Sequence, residues 1–253
     1  MNLSVILIVR NEAANLRDCL SGVSEAGEIV IVEHASQDNT YEIATACGAK
    51  VIRTPDWPGF GKQKNRALDS ATGDWILAID ADERVTPALW SEMKAAIHSG
   101  KADAYEIPRL TQFCGQWIKH CGWTPDRVLR LFRRKSARFS DDLVHEKLVL
   151  SDIRSQIGRL REPLLHYSYP NPDAYWQKLQ RYSHDWAVQK YRNGKKTSIA
   201  RAALSGLTAF TKSYFFRGGF LDGSMGFVVC TLQAQAAFGK YFELYWLNRK
   251  NVH

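Results

Sequence analysis

Residues 61–83 read GKQKNRALDSATGDWILAIDADE, and this run decides the fold. It opens with a basic-faced helical stretch, Gly61–Ala71, closed by Gly73, a residue type that ends helices readily. Trp75–Ile79 is then apolar throughout, as a strand covered on both faces must be. Asp80-Ala81-Asp82-Glu83 stands at its exit. Three carboxylates there cannot all be buried unpaired, because each would cost several kcal/mol to desolvate.

The same alternation extends towards the N-terminus. Leu3–Val9 is a continuous apolar strand, and Glu12–Val23 carries Ala13, Leu16, Leu20 and Val23 on one helical stripe, with Asn11 as its expected cap. Glu28–Glu33 is a second strand, Thr40–Cys47 a short helix stopped by Gly48, and Lys50–Arg53 a short strand. On the other side, Thr86-Pro87 supplies a cap and first-turn proline for a helix ending near Gly100. Strands separated by short helices predict a parallel, doubly wound α/β sheet, with ligands beyond the carboxyl ends of its strands.

From about residue 104 the pattern changes to strand and loop, and from about 173 to helix, with Pro163, Pro170 and Pro172 at the transition. The expected division is therefore 1–172, made of a 1–103 part and a 104–172 part, followed by a helical region over 173–253. Ile199–Phe216 and Phe220–Phe238 are apolar, but charged or amide residues interrupt both. Neither makes a clean membrane span. Nine basic residues and one acid lie between Lys178 and Arg217. Apolar stripes flanked by Lys and Arg suit helices lying in a membrane interface, and equally a bundle packed on the sheet or on another subunit.

Charge is divided along the chain. Residues 1–100 hold 9 basic and 14 acidic residues, and the remainder 25 and 12. A basic half can serve nucleic acid, an anionic membrane, an acidic substrate or simply solvation. The five cysteines show no CxxC and read as reduced packing thiols. The N-terminus lacks a basic segment before its short apolar run, so it reads as a first strand rather than a signal peptide, which predicts a cytoplasmic chain.

Three stretches carry candidate chemistry. The acidic exit at 80–83 offers hard oxygens for Mg²⁺ or Mn²⁺, or else a cap for the following turn. Glu33-His34-Ala35-Ser36-Gln37-Asp38-Asn39-Thr40 has donors and acceptors to read a base edge and ribose, though such residues also build turns. In Pro58–Asn65 the glycines, Gly61 among them, permit close backbone approach, and the lysines could face a uracil or diphosphate at a helix N-terminus. Arg109–Arg138 adds eight Lys/Arg, Arg130 among them, with Trp117 and Trp123. That combination suits a phosphorylated glycolipid, since aromatics stack on sugar faces and Arg binds phosphate. The acidic sheet end argues against nucleic acid.

VILIVRNEAANL (5–16), EIVIVEHASQDNT (28–40) and the 61–83 run together resemble the inverting glycosyltransferases of family 2, with the Rossmann-like, doubly wound GT-A fold. Within that family, GWTPDRVLRLFRRKSARFSDDLVHE (122–146), LLHYSY (164–169) and GGFLDGSMGF (218–227) resemble bacterial lipopolysaccharide-core glucosyltransferases that act on inner-core heptose. The chain departs from the usual pattern in carrying Glu33 where members have Asp, followed by His34.

The resemblance implies roles. Asp82 would ligate a divalent ion, Mg or Mn, that bridges two phosphates, with Asp80 at the ribose or a metal-bound water. Glu33 and Lys62 would face the base, Asn11 and Glu12 the ribose, and His166 would be a further metal ligand or an ordinary histidine. Ser36, Asp38 and Arg130 complete the expected donor and phosphate contacts. A general base must lie opposite the leaving group. Asp142 is the first candidate and Asp141 the second, ahead of Asp126 and Glu146.

The implied protein transfers a hexose, glucose from UDP-glucose, with inversion, to heptose of the inner core. It would sit peripherally at the cytoplasmic face of the bacterial inner membrane, with a membrane-associating C-terminal helical extension, and a homo-oligomer is left open. A polyprenyl-phosphate or other lipid-linked glycan transferase is the enzymatic alternative. A basic membrane- or nucleic-acid-binding module is the non-enzymatic one.

Overall fold

A computed structural model describes residues 2–140 and 147–250, apart from the side chain of Lys250. It comprises two compact units, Met1–Arg109 with Arg127–His166, and Leu110–Asp126 with Tyr167–His253.

In the first unit β1 (Leu3–Val9), α1 (Ala13–Ser21), β2 (Glu28–Glu33), α2 (Thr40–Ala46), β3 (Lys50–Arg53), α3 (Phe60–Ser70), β4 (Trp75–Ala78), β5 (Glu83–Arg84) and α4 (Pro87–Ser99) follow in order. After them in the chain come β6 (Ala104–Phe113), β7 (Gln116–Ile118), β8 (Asp126–Arg133), β9 (Ala137–Phe139), β10 (Leu148–Leu150), β11 (Ile157–Arg159) and β12 (Leu164–Tyr169), with β7 and the last residues of β6 and β12 belonging to the second unit. The main sheet runs β3-β2-β1-β4-β8-β6-β12-β5. Pairing is parallel from β3 through β2 and β1 to β4, and β8 then joins β4 antiparallel. Strands β9 and β10 form a separate antiparallel pair.

The continuous apolar reading of β1 has its physical reason in two cores. Leu3, Val5, Leu7 and Val9 pack on one face with Leu16 and Leu20 of α1 and Leu89 and Met93 of α4. Ile6 faces the other way, with Val30, Val32, Ile76, Phe132 and the α3 residues Ala67 and Leu68. Alternate residues thus serve opposite layers, as the strand period requires. Each such side chain contributes about 1.5–3 kcal/mol relative to exposure.

The opposite end of this sheet is pinned by one carboxylate. Glu28 Oε1 accepts from the Ser4 hydroxyl, the Thr72 backbone N–H, the Thr72 hydroxyl at 2.8 Å and the Gly73 N–H at 3.1 Å. A Cβ on Gly73 would lie 2.5 Å from Ser4 Oγ and 2.8 Å from Ser4 N, so the turn into β4 needs glycine for clearance.

One local expectation is corrected. Asn11 does not cap α1, since it takes a positive φ of 54° one residue further out. The first amides of α1 bond instead to the turn after β2, Glu12 N–H to Thr40 Oγ1 at 2.7 Å and Ala13 N–H to Asp38 Oδ2 at 3.1 Å. Thr86 does cap α4, accepting from Leu89 N–H at 3.1 Å.

The second unit holds α5 (Pro172–Arg192), α6 (Ile199–Thr211) and α7 (Gly223–Lys250), with a π-turn over Lys212–Phe216 and a 3₁₀ turn over Gly219–Asp222 between the last two. Its core gathers Phe113, Ile118, Cys121, Tyr175, Val229 and Cys230. Asp222 ties the 3₁₀ turn to the strand β7 connection, accepting from His120 N–H at 2.8 Å and meeting His120 Nδ1 at 2.8 Å. A Cβ on Gly226 would collide with the Gly219 carbonyl, so the GGFLDGSMGF stretch folds back on itself only with glycine there. Among the described residues no helix is long and apolar enough to cross a membrane.

Burial would raise the Glu28 carboxyl, but the bonds from Ser4, Thr72 and Gly73 outweigh it and hold the group below its ordinary value. A depressed folded pKa gives stability that is present above the unfolded value, near 4.5, and lost as pH falls through the folded one. Glu28→Gln is therefore expected to cost roughly 1–2 kcal/mol at neutral pH and clearly less in acid, below the carboxylate range, by urea denaturation. Equal losses at both pH values would assign the effect to packing instead.

Candidate functional site

The carboxyl ends of β1, β2, β3 and β4 lie along one edge of the first unit's sheet, because these strands run parallel. The loops that leave this edge carry most of the residues singled out from sequence.

At the ends of β1 and β2 those residues bond to one another. Asn11 N–H donates to Ser36 Oγ at 3.0 Å, and Gln37 N–H to Asn11 Oδ1 at 2.8 Å. Ser36 N–H donates to Glu33 Oε1 at 2.6 Å, and Arg53 Nε to Glu33 Oε2 at 3.2 Å. Both Glu33 oxygens are thus engaged, and the residue is 1% exposed. Burial would raise its carboxyl, but Ser36 and Arg53 outweigh this and keep it below its ordinary value. Asp38 is likewise lowered, burial being outweighed by Thr40 and the Ala13 N–H. These side chains build the two turns as a rigid rim. Glu12 bonds Asn15 Nδ2 through Oε2 at 2.9 Å.

The acidic exit of β4 is a charge cluster. Arg130, on β8, reaches Asp80 Oδ2 at 2.5 Å and Glu83 Oε1 at 3.0 Å. Lys64 Nζ stands 3.4 Å from Asp80 Oδ1, and Arg109 Nη1 3.6 Å from Glu83 Oε1. Glu83 Oε2 also accepts the Asp80 backbone N–H at 2.9 Å, which closes the turn. Glu83 is fully buried, whereas the Asp80 side chain is 36% exposed. For Asp80, burial is outweighed by Arg130 and Lys64, which hold it well below the usual carboxylate range. For Glu83, burial together with the Asp80 charge pushes the carboxyl up despite Arg130. Arg130 Nε is buried without a hydrogen-bond partner among the described residues.

Strand β12 brings in a histidine far away in sequence. His166 pairs in register with Glu83, and its Nε2 lies 3.3 Å from Asp82 Oδ2. An oxygen and an imidazole nitrogen side by side fit a divalent ion that completes its shell with water and phosphate oxygens. Among the described residues no group of three or more His, Cys, Asp or Glu surrounds one point.

Helix α3 supplies the basic wall. Gly61, Lys64, Ala67 and Leu68 are buried and Lys62 is exposed. Their helical spacing puts Lys64 inward, a signal present in the sequence that had assigned no separate role to Lys64. Asp141 and Asp142 lie outside the described residues, as do His145 and Glu146. Their flanks are firm, since Ser140 N–H donates to Lys147 O at 2.8 Å and the Asn65 side chain of α3 bonds both Phe139 N–H and Phe139 O.

Removing one partner of a buried ion pair leaves an uncompensated charge at a cost of about 3–5 kcal/mol. Arg130→Met is expected to lower unfolding free energy by that order, with Glu83→Gln in the same chain restoring part of it. An unchanged stability would mean that Asp80 and Glu83 find other counter-ions.

The profile of Glycosyl transferase family 2 matches residues 4–164. An uncharacterized glycosyltransferase of Rickettsia typhi is 30% identical over 98% of this chain and 88% of its own. The lipopolysaccharide core biosynthesis glycosyltransferase LpsC of Rhizobium meliloti is 30% identical over 96% of this chain and 92% of its own. Among solved structures, TarS 1–349 of S. aureus aligns over 99% of this chain and 92% of its own, with 14% identity and a TM-score of 0.49. The matched segment begins in β1 and ends in β12, taking in the rim, the acidic exit and the basic helix, and so this chain belongs to glycosyl transferase family 2.

Proposed function

We propose that the chain is an inverting, metal-dependent hexosyltransferase, which moves a hexose from a nucleoside-diphosphate sugar to a heptose of the lipopolysaccharide inner core. UDP-glucose is the donor we infer. The observation that carries the reading is the Asp82–His166 pair, set beside Lys64, Arg130 and Asp80 at the carboxyl edge of the parallel strands. Support for the acceptor comes from the similarity to LpsC, a lipopolysaccharide core biosynthesis glycosyltransferase.

Cleavage of the donor leaves a nucleoside diphosphate whose negative charge must be met by fixed cations. Lys64, 3.4 Å from Asp80, and Arg130, paired with Asp80 and Glu83, are the fixed cations nearest that edge and would offset the charge from held positions. A divalent ion held by Asp82 and His166 would add Lewis-acid stabilisation of the same oxygens. The acceptor oxygen forms its bond to the anomeric carbon as the bond to the diphosphate oxygen breaks on the opposite face. Its proton passes to a carboxylate, for which Asp142, then Asp141, is the assignment. A single displacement inverts the centre, giving a β-linkage from an α-linked donor.

We infer further that the second unit rests on the membrane that carries the acceptor. Leu204, Leu207, Phe215, Phe216, Phe220 and Leu221 are exposed, Phe216 at 83%. Lys212, the first residue of the π-turn, and Arg217, just after it, are also exposed. Buried small residues explain why the apolar groups face outward: Ala202 and Gly206 are buried, and a Cβ on Gly206 would meet Ala234 O at 3.1 Å. Large side chains on α6 therefore have no room on that stripe. Exposed apolar groups bordered by cations suit an anionic bilayer surface.

Two measurements bear on this. UDP with Mn²⁺ at about 100 times its Kd should stabilise the protein by about 2.7 kcal/mol, seen as a rise in Tm. Chelator, Asp82→Asn and His166→Gln should each remove the Mn²⁺-dependent part, and a shift indifferent to all three would sink the metal assignment. In flotation, the protein should rise with anionic vesicles at low salt, and Phe215→Ser with Phe216→Ser should keep it in the soluble fraction. Wild-type protein that stays soluble, or elutes as a dimer through this face, would remove the membrane reading.

A further inference from the structure

The nucleotide edge carries an apolar feature that its charge chemistry leaves unexplained. Between β3 and α3 the chain reads Thr54-Pro55-Asp56-Trp57-Pro58-Gly59, and Phe60 opens the helix. Trp57 and Phe60 are each 40% exposed, and their rings meet edge to face at 5.0 Å and 89°. The buried His34, next after Glu33 on β2, supports Trp57 with its ring at 5.3 Å. His34 is itself fixed by Nδ1 at 3.1 Å from the Thr54 carbonyl.

The loop is held from below as well. Arg66 forks onto Asp56 at 2.9 and 2.8 Å, and the fully buried Gln63 donates to Thr54 Oγ1 at 2.9 Å and to the Asp56 carbonyl at 3.0 Å. Gly59 takes φ 116°, a backbone that lets the chain turn straight from the tryptophan into α3. A single exposed aromatic is ordinary, but two rings braced by a polar scaffold at a ligand edge form a preorganised stacking surface.

Base recognition needs such a surface here. Glu33, the residue expected to read the base, is closed off with both oxygens bonded. Phe60 and Lys64 are about one helical turn apart, roughly 6 Å along the axis. A nucleotide stacked on Trp57 would thus extend its diphosphate along α3 towards Lys64 and Asp80.

We propose that Trp57, braced by Phe60 and His34, is the stacking platform for the donor's nucleobase. Affinity for the base then comes from ring contact more than from hydrogen bonds to Glu33. This rests on the nucleoside-diphosphate-sugar reading given above.

The test is calorimetric titration of the full chain in Mn²⁺ with UDP and, separately, with inorganic pyrophosphate. Stacking on an aromatic side chain is sensitive to its truncation, so Trp57→Ala should weaken UDP about tenfold while leaving pyrophosphate unchanged. Trp57→Phe, which keeps a ring, should restore most of the loss. UDP affinity unaltered in Trp57→Ala would overturn the platform, and so would an equal loss for pyrophosphate, which would mark a collapsed loop. If Trp57→Ala raised only the KM for acceptor, the rings would belong to the acceptor side and the proposal would again fall. Wild-type protein that binds pyrophosphate but not UDP overturns the platform, whereas binding neither sinks the donor reading beneath it.

Discussion

The guanidinium of Arg130 is the constraint on which the acidic exit depends. It stands between Asp80 and Glu83, two carboxylates that could not share a largely dry turn without a cation between them. Its place is a matter of strand register. Leu131 pairs with Leu77 and Phe132 with Ile76, so the residue one step before Leu131 arrives at the end of β4 where the acids begin. A slip of one residue would turn every side chain of β8 to the other face and leave the acids without their counter-ion. The change from parallel to antiparallel pairing at β4 and β8 is therefore also what makes the charge cluster tenable.

Around that cluster, several polar groups are spent on building the turns. Glu33, Ser36, Asp38, Asn11 and Thr40 largely bond each other and hold two adjacent turns in fixed relation. Such a rim is fixed by its own hydrogen bonds. Asp80 is partly open to solvent, and Asp82 lies beside His166. The two rings of Trp57 and Phe60 give the same edge an apolar shoulder.

The second unit follows a different logic. Its core is aromatic, with Phe113 close to Trp123, Tyr169 and Tyr175, and its helical turn-back is made by glycines that permit contact between backbones. Asp222 is committed to His120 and to backbone amides, so its charge serves the fold rather than an open site. Packing by small residues on α6 and α7 displaces the large apolar side chains outward, which is how a basic unit comes to present Leu and Phe to solvent.

The primary structure determined the elements of the first hundred residues, because apolar runs of strand length alternate there with amphipathic helices and glycine stops. Each strand from β1 to β4 was legible within a residue or so of its ends. The acidic exit and the α3 lysines were legible too, since local charge beyond a buried strand has few physical uses. What neighbouring residues could not reveal was partnership. That Asp38 rather than Asn11 caps α1, that Arg53 closes off Glu33, and that Arg130 belongs to the carboxylates all depend on contacts across 20 to 50 positions. His166 came beside Asp82 only because β12 pairs with β5. Only tertiary structure decided these, because hydrogen bonds and ion pairs are set by distance in space, whereas sequence pattern reports mainly which face of a local element avoids water.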